Sequence, residues 1–319
     1  MARDAKKPAD WPANKSWLQT DDPEYLAWAK HWYDAVCPLV AKHQITRKAP
    51  GQPGVILFQI ENEYNRVNWL PKSAKRRHLE ALANIARANG IDVPIFTCWT
   101  SESRGVTNGP LRGVFDMMNY YPKWDVAKEL SKRTTNERPQ QPLAPAMSAE
   151  LQGGWYSEVG GKLSADMDFT SPVQTQNITL YALQLGYSLI NFYMLVGGSN
   201  FDDWASRETT QTYDFNAAIH EDGSVGEKYQ RLAAIGHMLR EHGARLMRAE
   251  TVSLAFTNSN PTVQIAARRA QDGGLYLFVR TENRSGPQTG RVVISAGVEG
   301  APLAFDYELE PFGSKIFYL

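Results

Sequence analysis

The chain has very little cysteine and no excess of charge, and both shortages narrow its possible functions. Its 319 residues include only two cysteines, Cys37 and Cys98. They are too few for a disulfide framework, and neither lies in a CxxC or other metal-ligand spacing. Lys and Arg number 34 and Asp and Glu number 34, so the formal net charge is zero. No basic field is available to hold a phosphate backbone, and we expect no nucleic-acid partner.

Long hydrophobic runs and an export signal are also missing. Nowhere do about 18 uncharged apolar residues run together, as a membrane-spanning helix requires. The basic start MARDAKKPADWPANKSW has no apolar region behind it. We therefore expect a soluble chain with no membrane partner. It is cytoplasmic as written, whereas a periplasmic or secreted location follows if an N-terminal segment is missing.

The six histidines lack the spacing of metal ligands. His237 and His242 lie five residues apart in a predicted helix, so they do not share a face. The sequence predicts neither a metal nor any other cofactor.

Between residues 23 and 242, short β-rich apolar runs alternate with amphipathic stretches. This alternation predicts βαβ units and a parallel sheet. The predicted strands are 55–61, 93–99, 114–121, 143–150 and 188–196. The predicted helices are 23–43, 72–90, 123–133, 171–186 and 226–243. After residue 250 the apolar period becomes two, which predicts short antiparallel strands.

Polar and aromatic residues stand at the ends of the five predicted strands. These residues are Glu63, Trp99, Tyr121, Glu150 and Tyr193. A barrel collects its catalytic groups at this end of its strands, and no glycine-rich phosphate loop follows the first strand, as a nucleotide-binding sheet would require. We therefore predict an α/β fold with a partial (β/α)8 TIM barrel. Residues 1–248 would form this catalytic domain and residues 249–319 a small antiparallel β-domain.

Two glutamates at strand ends are candidates for catalysis. The run GVILFQIENEYN ends its apolar stretch in Glu61, Asn62 and Glu63, and Glu150 ends the fourth predicted strand. Two converging carboxylates are the minimum apparatus for glycoside hydrolysis: one attacks the anomeric carbon, and the other donates a proton and then activates water. Retention requires carboxyl groups about 5 Å apart. From spacing alone, the alternative is that each glutamate caps a loop or pairs with an arginine.

Three segments together resemble a known enzyme family. They are QIENEYN, AELQGGWYSEVGG and NFYMLVGGSNF, in this order at predicted strand ends. The chain resembles the family 35 glycoside hydrolases, which are retaining β-galactosidases. TDDPEYLAWAKHWYDAVCPLV resembles the helix before that family's fourth barrel strand, and TTQTYDFNAAIHEDG its final barrel loop. The resemblance covers residues 17 to 240. It implies that the five strands are equivalent to strands 4 to 8 and that the substrate is a β-galactoside oligosaccharide or glycan, cleaved by double displacement to release terminal β-D-galactose.

The resemblance also implies roles for individual residues. Glu63 would be the acid/base, Glu150 the nucleophile, and Asn62 a hydrogen-bond donor to the sugar 2-hydroxyl. Trp155 and Tyr193 would shape the sugar pocket, with Tyr193 orienting the nucleophile. Tyr121 and Tyr213 are looser matches for which a packing role is equally expected.

Two further glutamates near these motifs are expected to have supporting or solvated roles. Glu61, two residues before Glu63, would share its face in a regular strand. Because the family motif assigns catalysis to the second glutamate, we predict that Glu61 is a hydrogen-bonded supporting residue. Glu158 is predicted to be a solvated charge.

The first three βα units of the family's barrel are missing, because only residues 1–22 precede the helix before the first predicted strand. The third strand holds residues that recognise galactose in that family, so the sugar preference is not carried over. A five-stranded arc would leave two strand edges unpaired and its apolar inner face uncovered. We expect a truncated gene, a misassigned start or a partial chain, or else a second chain that supplies the missing half.

Two other functions remain open. The first is a related retaining barrel β-glycosidase with a different sugar specificity. The second is a non-catalytic carbohydrate-binding or structural remnant. The sequence indicates neither the linkage and aglycone preference nor the oligomeric state.

Overall fold

A computed structural model describes residues 18–202, 205, 209–295 and 302–319 of the chain. They form two compact units. The first comprises residues up to Met118 together with Pro139–Ala144, and the second comprises Asn119–Arg138 together with Pro145–Leu319. The boundary predicted at residue 248 lies within the second unit and stays a proposal.

Five parallel strands confirm the predicted half-barrel. They follow one another in the order β1-β2-β3-β4-β5. Their bounds are β1 Phe58–Asn62, β2 Ile95–Cys98, β3 Phe115–Tyr120, β4 Met147–Gln152 and β5 Leu189–Tyr193. Each lies within the run predicted for it or extends at most two residues beyond. In register, Phe58 pairs with Ile95, and Met147 pairs with Leu189.

Five long helices follow the predicted pattern. They are α1 Pro23–Ala41, α2 Lys72–Ala88, α3 Val126–Glu137, α4 Pro172–Gln184 and α5 Glu227–Met247. Helix α4 begins at a side-chain cap, because the Ser171 side chain accepts a hydrogen bond from the Gln174 amide and Pro172 occupies the first turn. Just after α4, Gly186 adopts a left-handed conformation with φ +86°.

The core of the first unit lies between α2 and the first two strands. Leu79, Leu82 and Ala86 repeat at helical spacing along α2 and are buried together with Ile60 of β1 and Ile95 of β2. This apolar stripe fixes α2 against the strands. Strand β1, which ends in Glu61 and Asn62, is therefore anchored by this core.

Antiparallel strands follow residue 250, as predicted. They are β8 Glu250–Val252, β9 Phe256–Asn258, β10 Val263–Arg269, β11 Leu275–Thr281, β12 Gln288–Ile294, β13 Leu303–Leu309 and β14 Ser314–Tyr318. One sheet has the order β14-β11-β10-β8 and another the order β13-β12-β9. A short ribbon of β6 Gly198–Ser199 and β7 Thr212–Tyr213 precedes them.

Strand β11 is buried along its whole length because both of its faces are covered. Leu277 and Val279 face the core between the two antiparallel sheets. Tyr276 and Phe278 alternate with them and pack among residues of α4 and α5. The antiparallel strands are therefore continuous with the helical part of the second unit. Among the described residues, none of the helices has the length and hydropathy that crossing a bilayer requires.

Candidate active site

Glu63 lies immediately after β1, in a left-handed turn with φ 50° and ψ 36°. Its amide donates a hydrogen bond to the carbonyl oxygen of Cys98 at 2.7 Å. Its carboxylate pairs with Arg66, with Oε2 2.5 Å from Nε, and the Glu63 side chain is only 18% exposed whereas that of Arg66 is 70% exposed. The expectation that Glu61 and Glu63 share a strand face fails, because β1 ends at Asn62 and strand alternation stops there.

Glu61 is buried and hydrogen-bonded, as predicted, and its supporting role in catalysis stays a prediction. Its Oε1 accepts hydrogen bonds from Gln19 Nε2 at 2.8 Å and from the Asn62 amide at 3.0 Å. Its Oε2 lies 2.6 Å from His78 Nε2. The other ring nitrogen of His78 lies 2.9 Å from the Thr20 carbonyl oxygen, which can only accept. His78 therefore donates through Nδ1, and its Nε2 is hydrogen-bonded to the Glu61 carboxyl group.

Asn62 is exposed at the end of β1, where a substrate could contact it. Its Oδ1 accepts a hydrogen bond from Gln59 Nε2 at 3.2 Å, and the same nitrogen donates to the Glu61 carbonyl oxygen at 3.0 Å. This orientation presents the Asn62 amide nitrogen as the donor, as its predicted role requires. Contact with a sugar 2-hydroxyl stays a prediction.

In the second unit, β4 and the end of β3 bring together three of the predicted residues. Glu150 is half-buried in β4, and the hydroxyl of Tyr121 donates a hydrogen bond to its Oε2. The ring of Tyr121 meets the ring of Trp155 edge-on, with centroids 5.5 Å apart. Tyr121 thus contacts both the Glu150 carboxylate and the Trp155 ring, and a role in sugar binding stays a prediction.

Trp155 belongs to an aromatic group that also includes Tyr156 and Phe169. Its ring stacks on Tyr156 with centroids 4.9 Å apart. The ammonium of Lys123 lies 5.0 Å from the Trp155 ring and 4.8 Å from the Phe169 ring, within range of a cation–π interaction. Glu158 is exposed, as predicted, although its Oε1 also lies 3.5 Å from the Trp155 indole nitrogen.

Tyr193 and Tyr213 form a second aromatic pair. Their hydroxyl groups are 2.7 Å apart and hydrogen-bonded. Phe215 packs against both rings, with centroid distances of 5.3 Å to Tyr193 and 5.5 Å to Tyr213. The predicted action of Tyr193 on the nucleophile stays a prediction.

Two glycines allow the segment after β4 to approach its neighbours closely. A Cβ atom on Gly153 would lie 2.4 Å from the Met194 carbonyl oxygen, and one on Gly154 would lie 1.7 Å from the Phe215 carbonyl oxygen. Only glycine fits these contacts. The GG pair in the sequence is the signal that could have indicated this packing.

Three charged residues that contact candidate residues or their loops, one in the first unit and two in the second, were not predicted. Arg66 pairs with Glu63, and Lys123 lies over the rings of Trp155 and Phe169. Lys228 donates to the carbonyl oxygens of Gly153 and Asn216. Lys123 follows a strand end in YYPKW, so its position was a usable signal. Lys228 lies in a helix far along the chain, and no local pattern marks it. Among the described residues, no three His, Cys, Asp or Glu side chains are grouped so as to hold a metal ion.

The fold and the strand-end residues place the chain in a class, the α/β proteins with carboxylates and aromatic rings at the carboxyl ends of parallel strands. The family is then given by comparison. Residues 9–239 match the model of "Glycosyl hydrolases family 35", so the chain belongs to glycosyl hydrolase family 35.

Relatives include two fungal proteins named "Probable beta-galactosidase B". The one from Pyrenophora tritici-repentis is 27% identical over 66% of this chain and 23% of its own length. The one from Aspergillus terreus is 24% identical over 94% of this chain and 32% of its own length. The chain thus spans about a quarter to a third of the length of these curated relatives.

Solved structures agree with the fold. SrfJ from Salmonella typhimurium matches with a TM-score of 0.50 and 12% sequence identity, over 92% of this chain and 62% of that one. At this identity the likeness supports the fold alone.

Proposed function

We propose that this chain is part of a retaining β-galactosidase that removes terminal β-D-galactose from β-galactosides by double displacement. Membership of family 35 and relatives named as β-galactosidases support the proposal. The observation that carries it is the arrangement at the end of β4, where Tyr121 donates to the Glu150 carboxylate and Trp155 packs beside Tyr121.

In this proposal Glu150 is the nucleophile. The Tyr121 hydroxyl donates a hydrogen bond to its Oε2, and this contact would orient the carboxylate for attack. The anion attacks the anomeric carbon, the glycosidic oxygen leaves, and a covalent glycosyl-enzyme ester forms. Trp155 would offer an apolar ring face to the sugar, while its packing on Tyr121 and Tyr156 holds that face in place.

Glu63 is the acid/base in the same proposal. It protonates the leaving oxygen in the first step and takes a proton from water in the second. Its carboxylate pairs with Arg66, and because Arg66 is 70% exposed, solvent screens this pair. Asn62 would donate to the 2-hydroxyl, a contact that strengthens in the transition state.

The first prediction concerns these two carboxylates. Glu150→Gln should lower kcat for hydrolysis of a nitrophenyl β-galactoside by several orders of magnitude, because the nucleophile is lost. Glu63→Gln should lower kcat by about a hundredfold or more, which is the usual contribution of a general acid or base. Glu241→Gln, a change of an exposed glutamate on α5, is the matched control and should have no effect.

Trapping the covalent intermediate gives a direct assignment of the nucleophile. A 2-deoxy-2-fluoro β-galactoside should label the peptide that contains Glu150, as read by mass spectrometry, and the Glu150→Gln variant should stay unlabelled. A label on any other residue would overturn the assignment. Faster cleavage of another nitrophenyl β-glycoside would indicate a different sugar specificity. Glycan binding without turnover, unchanged by both substitutions, would indicate a non-catalytic chain.

A further inference from the structure

Lys228 is a buried lysine at the start of α5 that binds backbone rather than an acidic side chain. It is only 5% exposed. Its Nζ donates to the Gly153 carbonyl oxygen at 2.8 Å and also to the Asn216 carbonyl oxygen. These two acceptors are 63 residues apart in sequence. One ammonium group therefore joins two chain segments.

Both segments carry residues of the candidate active site. Gly153 lies three residues after Glu150 and two before Trp155. Asn216 follows Phe215, the ring that packs against Tyr193 and Tyr213.

The same two segments also contact each other directly. The Trp155 amide donates to the Phe215 carbonyl oxygen at 3.0 Å, and the close approach at Gly154 meets the same oxygen. Lys228 thus lies at the junction of the loop after β4 and the loop that contains Phe215.

Burying this ammonium group costs free energy. Burial lowers the pKa of Lys228 to about 7, and the charge of Asp214 only partly opposes that effect. The contacts between this buried ammonium and the carbonyl oxygens are weak evidence that Lys228 stabilises the fold, because removing the charge and the carbonyl dipoles from water costs free energy. The ammonium does supply three donors directed from one point, which no apolar side chain of similar length can provide.

We propose that Lys228 is a positioning residue that fixes the loop after β4 to the loop around Phe215 and so sets the placement of Trp155 and of the Tyr193–Tyr213 pair. Its effect on hydrolysis rests on the function proposed above. Its effect on the two loops does not, and the two effects are measured separately.

The variant that tests the loops is Lys228→Met, which keeps the length of the stem and removes the donors. Hydrogen–deuterium exchange of the Trp155 amide and its neighbours should accelerate about tenfold, because the hydrogen bonds that close this junction are weakened. Exchange in β11 of the same unit should stay unchanged. Arg240→Met, an exposed cation on the same helix, is the matched control and should change neither region.

Two results would overturn the proposal in this experiment. Unchanged exchange at both loops would show that Lys228 does not hold them. Equal acceleration at the loops and throughout β11 would show a global loss of stability instead of a positioning role. The conservative variant Lys228→Arg, which keeps a charged donor, should recover part of the loop protection.

A second measurement uses the unaltered protein and does not depend on the folding of any variant. Below pH 7 Lys228 is charged, and above pH 7 it becomes neutral and a weaker donor. Loop protection, corrected for intrinsic exchange rates, should therefore fall between pH 6 and pH 8.5. The titratable groups on the neighbouring loop are Asp214, His220 and Glu221, and Glu227 lies beside Lys228 on its own helix.

The Lys228→Met variant separates these groups from Lys228 itself. The pH dependence should vanish in this variant if Lys228 causes it. If the dependence persists unchanged, His220 or the acidic groups cause it and the proposal fails.

Activity gives the third readout. Lys228→Met should raise KM for a β-galactoside about tenfold through misplacement of the pocket walls, whereas a smaller folded fraction would lower kcat alone. An unchanged KM with normal loop exchange would overturn the positioning role. If the unaltered chain hydrolyses no glycoside, the proposed function fails while the exchange measurements still decide the role of Lys228.

Discussion

At the scale of single residues, pairing decides whether a buried charge is tolerated. Arg104 and Asp116 form an almost fully buried ion pair in the first unit, with Nε 2.8 Å from Oδ2. The Thr100 amide and the Thr97 hydroxyl also donate to Asp116. Burial raises the pKa of Asp116 to about 7, and Arg104 and these donors act against that rise.

Removing Arg104 should therefore be severely destabilising. At pH 8, Arg104→Met leaves an unpaired buried carboxylate and should lower the free energy of unfolding by about 3–5 kcal/mol. At pH 5 the loss should be smaller. Because the pKa of Asp116 is raised, its carboxyl group is protonated in the folded state at this pH, and no unpaired charge is left buried; the penalty appears as the pH rises through that pKa. Denaturant unfolding at both pH values measures the difference.

The matched control for this change is Arg77→Met, which breaks an exposed pair with Asp21 in the same unit. Its effect should stay below about 1 kcal/mol. An equal loss for Arg104→Met at pH 5 and pH 8 would show that the charge of Asp116 is not the cause.

How far single residues could be predicted depends on whether their partners are local. The motif predicts that Glu61 is hydrogen-bonded, and its contacts with His78 and Gln19 confirm this. The alternation argument failed at Glu63 because the left-handed turn there is a backbone property that no residue pattern indicated. Lys228 was missed because its acceptors are backbone oxygens 75 and 12 residues away in sequence.

At the scale of elements, α4 is joined to the antiparallel strands by polar contacts. Asn177 donates to the carbonyl oxygens of Thr281 at 2.9 Å and Phe312 at 2.6 Å. Its Oδ1 accepts from Arg280 Nε at 3.2 Å, and the Arg280 guanidinium lies 4.1 Å from the Tyr181 ring. The buried amide of Asn177 thus provides hydrogen-bond partners for two carbonyl oxygens and one guanidinium N–H, all shielded from water.

Asn177→Ala should destabilise the second unit by about 2–4 kcal/mol, because several buried groups lose their partner at once. Urea unfolding followed by hydrogen exchange should show α4 and β11 losing protection together. Gln176→Ala, next to it on the less buried side of α4, is the control and should cost less. A separate earlier transition of residues 249–319 would contradict this cooperativity and support the division predicted at residue 248.

Element positions were predicted well because apolar periodicity reports directly on strands and helices. Their ends were less accurate where backbone geometry intervened. Helix α3 begins at Val126 and not at Lys123, since Lys123 has a φ of 53° that a helix cannot contain. The ribbon of β6 and β7 was missed because each strand has only two residues and no period can be read from so short a run.

At the scale of the whole molecule, the chain has no net charge and also exposes large apolar side chains. The formal net charge is zero, and Trp28 and Trp32 on α1 are 64% and 65% exposed. They are four residues apart and so share a helix face. A protein near zero charge has little mutual repulsion to oppose contact through such a face.

Self-association should therefore be strongest near pH 7 and weaker at pH 9, as measured by concentration-dependent light scattering. Trp28→Lys combined with Trp32→Lys should weaken it at pH 7 because both charge and apolar area change. The pair Trp28→Gln and Trp32→Gln changes the area alone and separates the two causes. No dependence on pH or on either pair of substitutions would show that this face is not responsible.

The half-barrel could be predicted because alternating strands and helices specify a parallel sheet. The division into two compact units could not, since β3 crosses it between Met118 and Asn119 and no change in composition marks that point. Residues 139–144 belong again to the first unit, although α3 before them belongs to the second. Apolar periodicity indicates helices and strands, but it does not indicate to which unit each segment belongs.

The left-handed backbone at Glu63 also limits which amino acids evolution or a mutational library can place there. Glycine, asparagine and aspartate adopt this conformation readily, whereas β-branched residues pay a steric penalty of about 1–2 kcal/mol. A substitution at position 63 can therefore destabilise the turn whatever its effect on catalysis. A threonine or valine that inactivates the protein would report on the shape of the turn as much as on the loss of a carboxylate.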